Sequence, residues 1–171
     1  LLDGGVLGLT VLGSSVTLRV AREYKHMGGT QNVTGSVVSD GRIRAASARD
    51  ATVRIRKHIF LPNYIDMDLK HLLASSLVLS RLLYNCALWN VLTTREHRIV
   101  NSPYRSMYRV MCNRVNTDGR NFSDDGVLKL VKVPRLSTIL RIKQLKYAIR
   151  MVLHGPIVLK ALIVSMLYVE G

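Results

Sequence analysis

Two adjacent carboxylates are the residues of this chain that most resemble a catalytic metal site. Phe122, Ser123, Asp124 and Asp125 form an aromatic-x-Asp-Asp pattern, and adjacent carboxylates at the tip of a β-hairpin can share their oxygens with Mg2+. Such a hairpin needs apolar strands on both sides, but residues 113–121 are polar. We therefore predict a helix N-cap and a solvated loop here, not a metal site.

The histidines and cysteines lack the spacing of a metal or catalytic centre. No two of the five histidines lie three or four residues apart, so neither metal ligation nor a base-and-nucleophile pair is indicated. Cys86 and Cys112 lie in separate apolar segments without Cys-x-x-Cys spacing, which excludes a zinc module and a disulfide framework. We expect both to be inert thiols in the core.

Positive charge is the strongest functional signal in the composition. The 171 residues include 25 Lys and Arg against 11 Asp and Glu, a formal charge of +14. A small domain stays soluble with a charge of magnitude roughly 2 to 8, so this excess suggests a polyanionic partner, nucleic acid ahead of an anionic membrane surface. Arginine predominates over lysine, 17 to 8, which favours bidentate phosphate contacts.

Two stretches concentrate this charge. Residues 42–57 contain six basic side chains against one acidic residue, and residues 135–150 contain five and no acidic one. Each stretch has basic residues at helical spacing, so they share a helix face, where cations repel one another unless phosphates neutralise them. We call Arg42, Arg49 and Arg56 the first basic row, and Lys143, Lys146 and Arg150 the second basic row. Both are predicted to bind nucleic acid.

The elements that position these residues change along the chain. The first forty residues are rich in Gly, Ser, Thr and Val, whereas the rest is rich in Leu, Arg, Ile and Lys. Alternating apolar residues from Val16 to Val20 predict a strand, and Gly28 and Gly29 suit a tight turn between two further strands, 24–27 and 30–33. We predict a mainly α fold: a short N-terminal β-hairpin followed by a helical, thumb-like bundle.

The division that we expect is a β segment at 1–38, a helical bundle at 39–115 and a basic helical segment at 116–171. Thr93 and Glu96 form a capping-box pattern that opens a helix, which Pro103 is expected to kink or split. Three other helices are predicted before a last apolar one. The first begins with Asp40 as its cap and runs to about Ile59, the second runs from about Asp66 to Trp89, and the third runs from about Leu136 to Leu153.

Three ordered motifs carry a resemblance to a known family. They are Tyr24 to Gly29, Ser76 to Tyr84 with Trp89, and Ile142 to Met151. Together they resemble the carboxy-terminal part of reverse transcriptases from non-LTR, LINE-type retrotransposons, over roughly residues 15–165. In that family the first motif is the primer-grip hairpin at the edge of the palm, and the other two build the thumb and the segment after it. Asn85 and Cys86 depart from the family pattern, as do His26 and Met27.

The resemblance implies an RNA-directed DNA polymerase whose palm aspartates hold two Mg2+ ions ahead of the primer grip. Before Tyr24 this chain has only Asp3 and Glu23 as carboxylates, so we expect a fragment without catalytic residues or a cofactor of its own. Tyr24 and Lys25 would contact the primer end, and Gly28 of the same motif is a further nucleic-acid-binding residue. The implied partners are a template-primer duplex of RNA and DNA and the remainder of the palm and fingers, with no membrane partner.

Two other functions remain open from the residues alone: a stand-alone basic helical RNA-binding adaptor, or a non-functional remnant of an element. Because the chain starts at Leu1 rather than methionine, we expect a fragment. No early stretch resembles a signal peptide, and the apolar run from Ile157 to Val169 contains Lys160 and is shorter than the ~18 residues of a membrane span. We therefore expect an intracellular protein of the nucleus or cytoplasm.

Overall fold

The fold is mainly α-helical, with short antiparallel strands at the amino-terminal end, as predicted. The structure is a computed structural model that describes residues 6–11, 14–19, 23–26, 29–32, 34–112, 123–158 and 160–161.

The strands form two separate antiparallel hairpins. Strand β1 (Val6–Val11) pairs with β2 (Ser14–Arg19), and β3 (Glu23–His26) pairs with β4 (Gly29–Asn32). The second hairpin confirms the predicted one: Tyr24 lies opposite Gln31 and Lys25 opposite Thr30. The alternating pattern predicted β2 but gave no signal for its partner β1, whose glycine and threonine break the apolar alternation.

The helical body follows the second hairpin. Helix α1 (Val38–Ile55) continues into a π turn (Arg56–Phe60), and α2 (Met67–Ala74) continues through a second π turn (Ser75–Leu79) into α3 (Ser80–Leu82). After a 3-10 turn (Cys86–Leu88) come α4 (Thr94–Cys112), α5 (Asp124–Leu130) and α6 (Leu136–His154). Residues 157, 158, 160 and 161 are again helical, as predicted after the break at Gly155 and Pro156.

Side-chain caps explain where three of these helices begin. The side chain of Asp66 accepts a hydrogen bond from the Asp68 amide (2.9 Å), and that of Ser123 accepts one from the Gly126 amide (3.1 Å). Thr93 and Glu96 form the predicted capping box. These contacts occupy amides that have no partner inside the first helical turn.

Two expectations about the helices were wrong. Asp40 does not cap α1, which begins after Val37; the Asp40 side chain is buried. The helix predicted to reach Trp89 ends at Leu82, because Asn85 adopts a left-handed conformation with φ of 55°. Pro103 lies inside α4 without splitting it.

The core lies where α1, the stretch from α2 to α3, and α4 meet. Ala45, Ala48 and Ala51 present small side chains along the buried side of α1, which lets neighbouring helices approach closely. Large residues fill the space between the helices, and those most completely buried include Phe60, Leu82, Tyr104, Met107, Tyr108 and Met111. Both cysteines are buried and outside any disulfide, as predicted.

Helix α6 joins this core only through its first half. Leu136 and Leu140 are buried, and the hydroxyl of Tyr104 on α4 donates to the carbonyl of Pro134 just before α6 (2.5 Å). Further along, Leu145 and Ile149 are 62% and 49% exposed. The apolar side of the second half therefore faces away from the core.

Candidate nucleic-acid interface

The hairpin of β3 and β4 presents two of the predicted binding residues. Tyr24 is 60% exposed and Lys25 is exposed, and neighbouring residues of a strand point to opposite faces. A ligand lying along one face would therefore meet only one of the two side chains. Gly28, the third predicted residue of this motif, lies outside the described residues.

The buried carboxylate of Asp40 fixes this hairpin to the helical body. One oxygen of Asp40 accepts a hydrogen bond from the Thr30 amide in β4 (3.2 Å), and the other accepts one from the indole Nε1 of Trp89 (3.3 Å). Nε of Arg44 lies 3.4 Å from the same carboxylate, and the Arg44 guanidinium stacks 4.6 Å from the ring centre of Tyr84. Sequence reasoning assigned Asp40 to a helix cap and missed this role, because its partners are distant in sequence.

The first basic row lies on the solvent side of α1 and at the start of the following π turn. Arg42, Arg49 and Arg56 are exposed. Nη2 of Arg49 lies 3.4 Å from the hydroxyl of Ser102 on α4, and Gly41 packs against Val100 and Ile99 of the same helix. The row therefore meets α4 at Arg49.

Arg95 is a further cation on the side of α4 that carries Ser102, although no sequence pattern singled it out. It is exposed and lies seven residues before Ser102, which places both on one side of α4. The only sequence signal for Arg95 was its seven-residue spacing from Ser102, which a single sequence does not distinguish from chance.

The second basic row lies on α6. Lys143, Lys146 and Arg150 are exposed, and the side-chain amide of Gln144 donates to the backbone carbonyl of Trp89 (2.8 Å). Trp89 thus contacts α6 through its carbonyl and Asp40 of α1 through its indole. This residue links the hairpin, the helix of the first row and the helix of the second row.

The ion pairs among the described residues involve none of the predicted binding cations of the two basic rows. Within the described residues, Arg44, Arg54, Arg105, Arg109 and Arg135 each pair with an aspartate. None of the six cations in the two basic rows pairs with a described carboxylate. Their positive charge is therefore available to an external anion.

Asp124 and Asp125, the pair that resembled a metal site, lie at the start of α5 and are held by arginines. Asp124 is bound by Arg105 and Arg109, and Asp125 by Arg135 (2.7 Å). The hydrogen bond from Arg109, partly opposed by desolvation, keeps the pKa of Asp124 below its usual value. The predicted helix N-terminus is confirmed, with Ser123 as its cap.

Among the residues that the structure describes, no three His, Cys, Asp or Glu side chains lie close enough together to hold a metal ion. Nor does any helix in those ranges combine the length and the apolar character required to cross a bilayer. No family model, no curated protein and no solved structure matches this chain. Its function is therefore inferred from the site geometry and the sequence motifs.

Proposed function

We propose that this chain binds duplex nucleic acid through the phosphate backbone, as the thumb and palm edge of a template-dependent polymerase do. More particularly, we propose that it is part of an RNA-directed DNA polymerase of the non-LTR retrotransposon type. The observation that carries the proposal is the state of the six cations of the two basic rows: all six are exposed at helical spacing, and none pairs with a described carboxylate.

The arrangement of the elements supports the same proposal. The hydrogen bonds of Asp40 and Trp89 hold the β3–β4 hairpin and the two basic helices in one framework. A duplex presents phosphates along two backbones, so a binding protein needs cations on several elements at fixed separations. Guanidinium groups bind phosphate oxygens in pairs without reading the base, so binding would depend on duplex shape and charge.

The proposal assigns the chemistry of nucleotide addition to the remainder of the polymerase, where Mg2+ would be held by palm aspartates. In this chain, Tyr24 or Lys25 would contact the primer end and the two basic rows would hold the duplex. The motif order of the sequence distinguishes this function from that of a stand-alone RNA-binding adaptor, since the charge distribution agrees with both.

The proposal predicts a strong dependence of binding on salt. Each neutralised phosphate makes log affinity fall by about 0.9 per log unit of salt, so six contacts imply a loss of roughly a thousandfold between about 50 and 200 mM. We expect micromolar or weaker binding to an RNA/DNA hybrid, measured by fluorescence anisotropy. Replacing Lys143, Lys146 and Arg150 by Ala should weaken binding to all sequences alike and lower the salt slope by about three.

A matched variant controls for net charge. Replacing Arg54, Arg81 and Lys129 by Ala removes three exposed cations that lie outside both basic rows, and it should change the affinity far less. Equal losses in the two triple variants would show that only total charge matters, and affinity independent of salt would exclude phosphate binding. A preference for an RNA hairpin over the hybrid would favour the adaptor function.

A further inference from the structure

A cleft beside the second basic row has the features of a small-molecule site. It has a volume of about 420 Å3, within the range of roughly 300 to 1,000 Å3 typical of ligand pockets. Four aliphatic side chains line one part of it, and the polar lining residues are His71, Ser75, Ser80, Tyr108 and Lys143. Mostly apolar walls with a few converging polar groups are the usual composition of a ligand site.

The imidazole of His71 lines this cleft and is held in place by Tyr108. Its Nδ1 lies 3.2 Å from the hydroxyl of Tyr108, and the two rings are stacked with centroids 6.0 Å apart. This contact engages Nδ1 and fixes the position of the ring. Within the described residues Nε2 of the same ring has no hydrogen-bond partner, so it is the ring nitrogen that remains for a ligand.

The backbone of this wall is unusual as well. Ser75 and Leu79, which both line the cleft, are the first and last residues of the second π turn. A π turn inserts an extra residue into a helix and is found frequently at functional sites, where it redirects side chains. Here it widens the helix at the position where Ser75 faces the cleft.

Lys143 supplies the charge of the site. It is the member of the second basic row that also lines the cleft. Burial raises the pKa of the Cys86 thiol, and the Lys143 ammonium partly opposes this shift. The electrostatic effect of the Lys143 charge therefore reaches the buried Cys86 as well as the solvent. No Asp or Glu occurs among the described residues that line the cleft.

We propose that this cleft binds one nucleoside phosphate, with the phosphate at Lys143, His71 and Ser75 and the nucleoside against the aliphatic wall. This inference rests on the proposed function. It adds to the contacts of the second basic row with the nucleic-acid backbone a specific site for one nucleotide at Lys143. The nucleotide is either free or the terminal unit of a strand, since both present the same phosphate and the same nucleoside.

Isothermal titration of the whole chain with AMP, adenosine and inorganic phosphate tests this inference. We expect AMP to bind saturably, and adenosine to bind at least about tenfold more weakly, because it lacks the charge-assisted contacts. Oligonucleotides with a 5′-phosphate, a 3′-phosphate or neither distinguish a strand end from a free nucleotide. Saturable AMP binding without any preference for a phosphorylated end supports the free nucleotide, and equal binding of AMP and adenosine overturns the proposal.

Single substitutions separate the cleft from the surrounding charge. Lys143→Gln and Ser75→Ala should each lower AMP affinity, the first by about tenfold, whereas Lys129→Gln on α5 should not. Lys146→Gln should lower hybrid affinity as Lys143→Gln does, but only Lys143→Gln should lower the affinity for AMP. If both Lys143→Gln and Lys146→Gln lower the affinity for the hybrid but neither lowers the affinity for AMP, the cleft assignment fails and the proposed function stands. If binding of the hybrid does not depend on salt, the proposed function fails. Thermal unfolding of each variant verifies its fold.

Discussion

Glu96 shows how one side chain can organise two helix starts. Its carboxylate accepts hydrogen bonds from the amide and hydroxyl of Thr93 (2.9 and 2.8 Å) and from the Val37 amide and Ser36 hydroxyl (2.7 and 3.0 Å). The first pair is the capping box of α4, which the sequence predicted. The second pair holds the residues just before α1, and it exists only because α1 and α4 pack side by side.

This geometry predicts that Glu96 contributes more to stability than an ordinary cap. Although burial opposes its ionisation, the hydrogen bonds from Thr93, Val37 and Ser36 prevail and keep the pKa of Glu96 below its usual value of 4.5. Glu96→Ala leaves buried donors without an acceptor, so we expect the free energy of unfolding at pH 7 to fall by about 3 kcal/mol in urea denaturation. Asp66→Ala, which removes a simple cap, should cost about 1 kcal/mol.

The effect of Glu96 should disappear in acid. A carboxylate with a lowered pKa in the folded state contributes stability above its unfolded pKa, and this contribution is lost as pH falls through the folded pKa. The difference in unfolding free energy between the wild-type chain and Glu96→Gln should therefore be largest near neutral pH and shrink below pH 4.5. A difference that stays constant down to pH 3 would show that the charge of Glu96 is not involved.

At the scale of elements, α6 shows that a helix and its apolar side can be recognised before its packing is known. Ile142, Leu145 and Ile149 lie three and four residues apart, a spacing that places them on one side of the observed helix. The core, however, is contacted through Leu136 and Leu140, which are 1% and 6% exposed, whereas Leu145 is 62% exposed. The spacing of apolar residues shows which of them share a helix face, but whether that face is buried depends on which elements pack against it.

This difference gives a matched pair of leucine substitutions within one helix. Leu140→Ala should lower the free energy of unfolding by about 2 to 4 kcal/mol, because it leaves a cavity in the core. Leu145→Ala should change it by less than about 0.5 kcal/mol, because the side chain is already hydrated. Urea denaturation followed by circular dichroism measures both, and equal losses would mean that the second half of α6 is covered in solution.

At the scale of the whole molecule, the hydrogen bonds of Asp40 and Trp89 matter more than any single motif. Asp40 joins the β3–β4 hairpin to Trp89, and Trp89 joins this pair to α6 through Gln144. The three regions proposed to bind nucleic acid are thereby held in one framework. Such a framework is what a clamp on a duplex requires, because phosphates lie at fixed intervals along the backbone.

The proposal assigns nucleotide addition to another part of the polymerase, so it also predicts that this chain does not extend a primer. Incubated with a primed RNA template, deoxynucleotides and Mg2+, it should bind the template-primer at low salt without extending the primer, because the proposal assigns metal binding to another part of the polymerase. Denaturing gel electrophoresis of a labelled primer measures extension, and a polymerase of the same type serves as the positive control. Extension by this chain would contradict the proposed assignment.

The local chemistry of the residues determined much of this structure in advance. The Thr93–Glu96 pair, the apolar spacing of α6 and the tight turn between β3 and β4 each depend on neighbours within a few residues, so they can be recognised in a single sequence. The same holds for the positive charge, which depends only on composition. Only the tertiary structure decided that Asp40 is a buried junction, that Arg49 of the first basic row lies beside Ser102 of α4, and that Lys143 lines a cleft with His71. Each of these depends on partners distant in the chain, and such partners come together only when the helices pack.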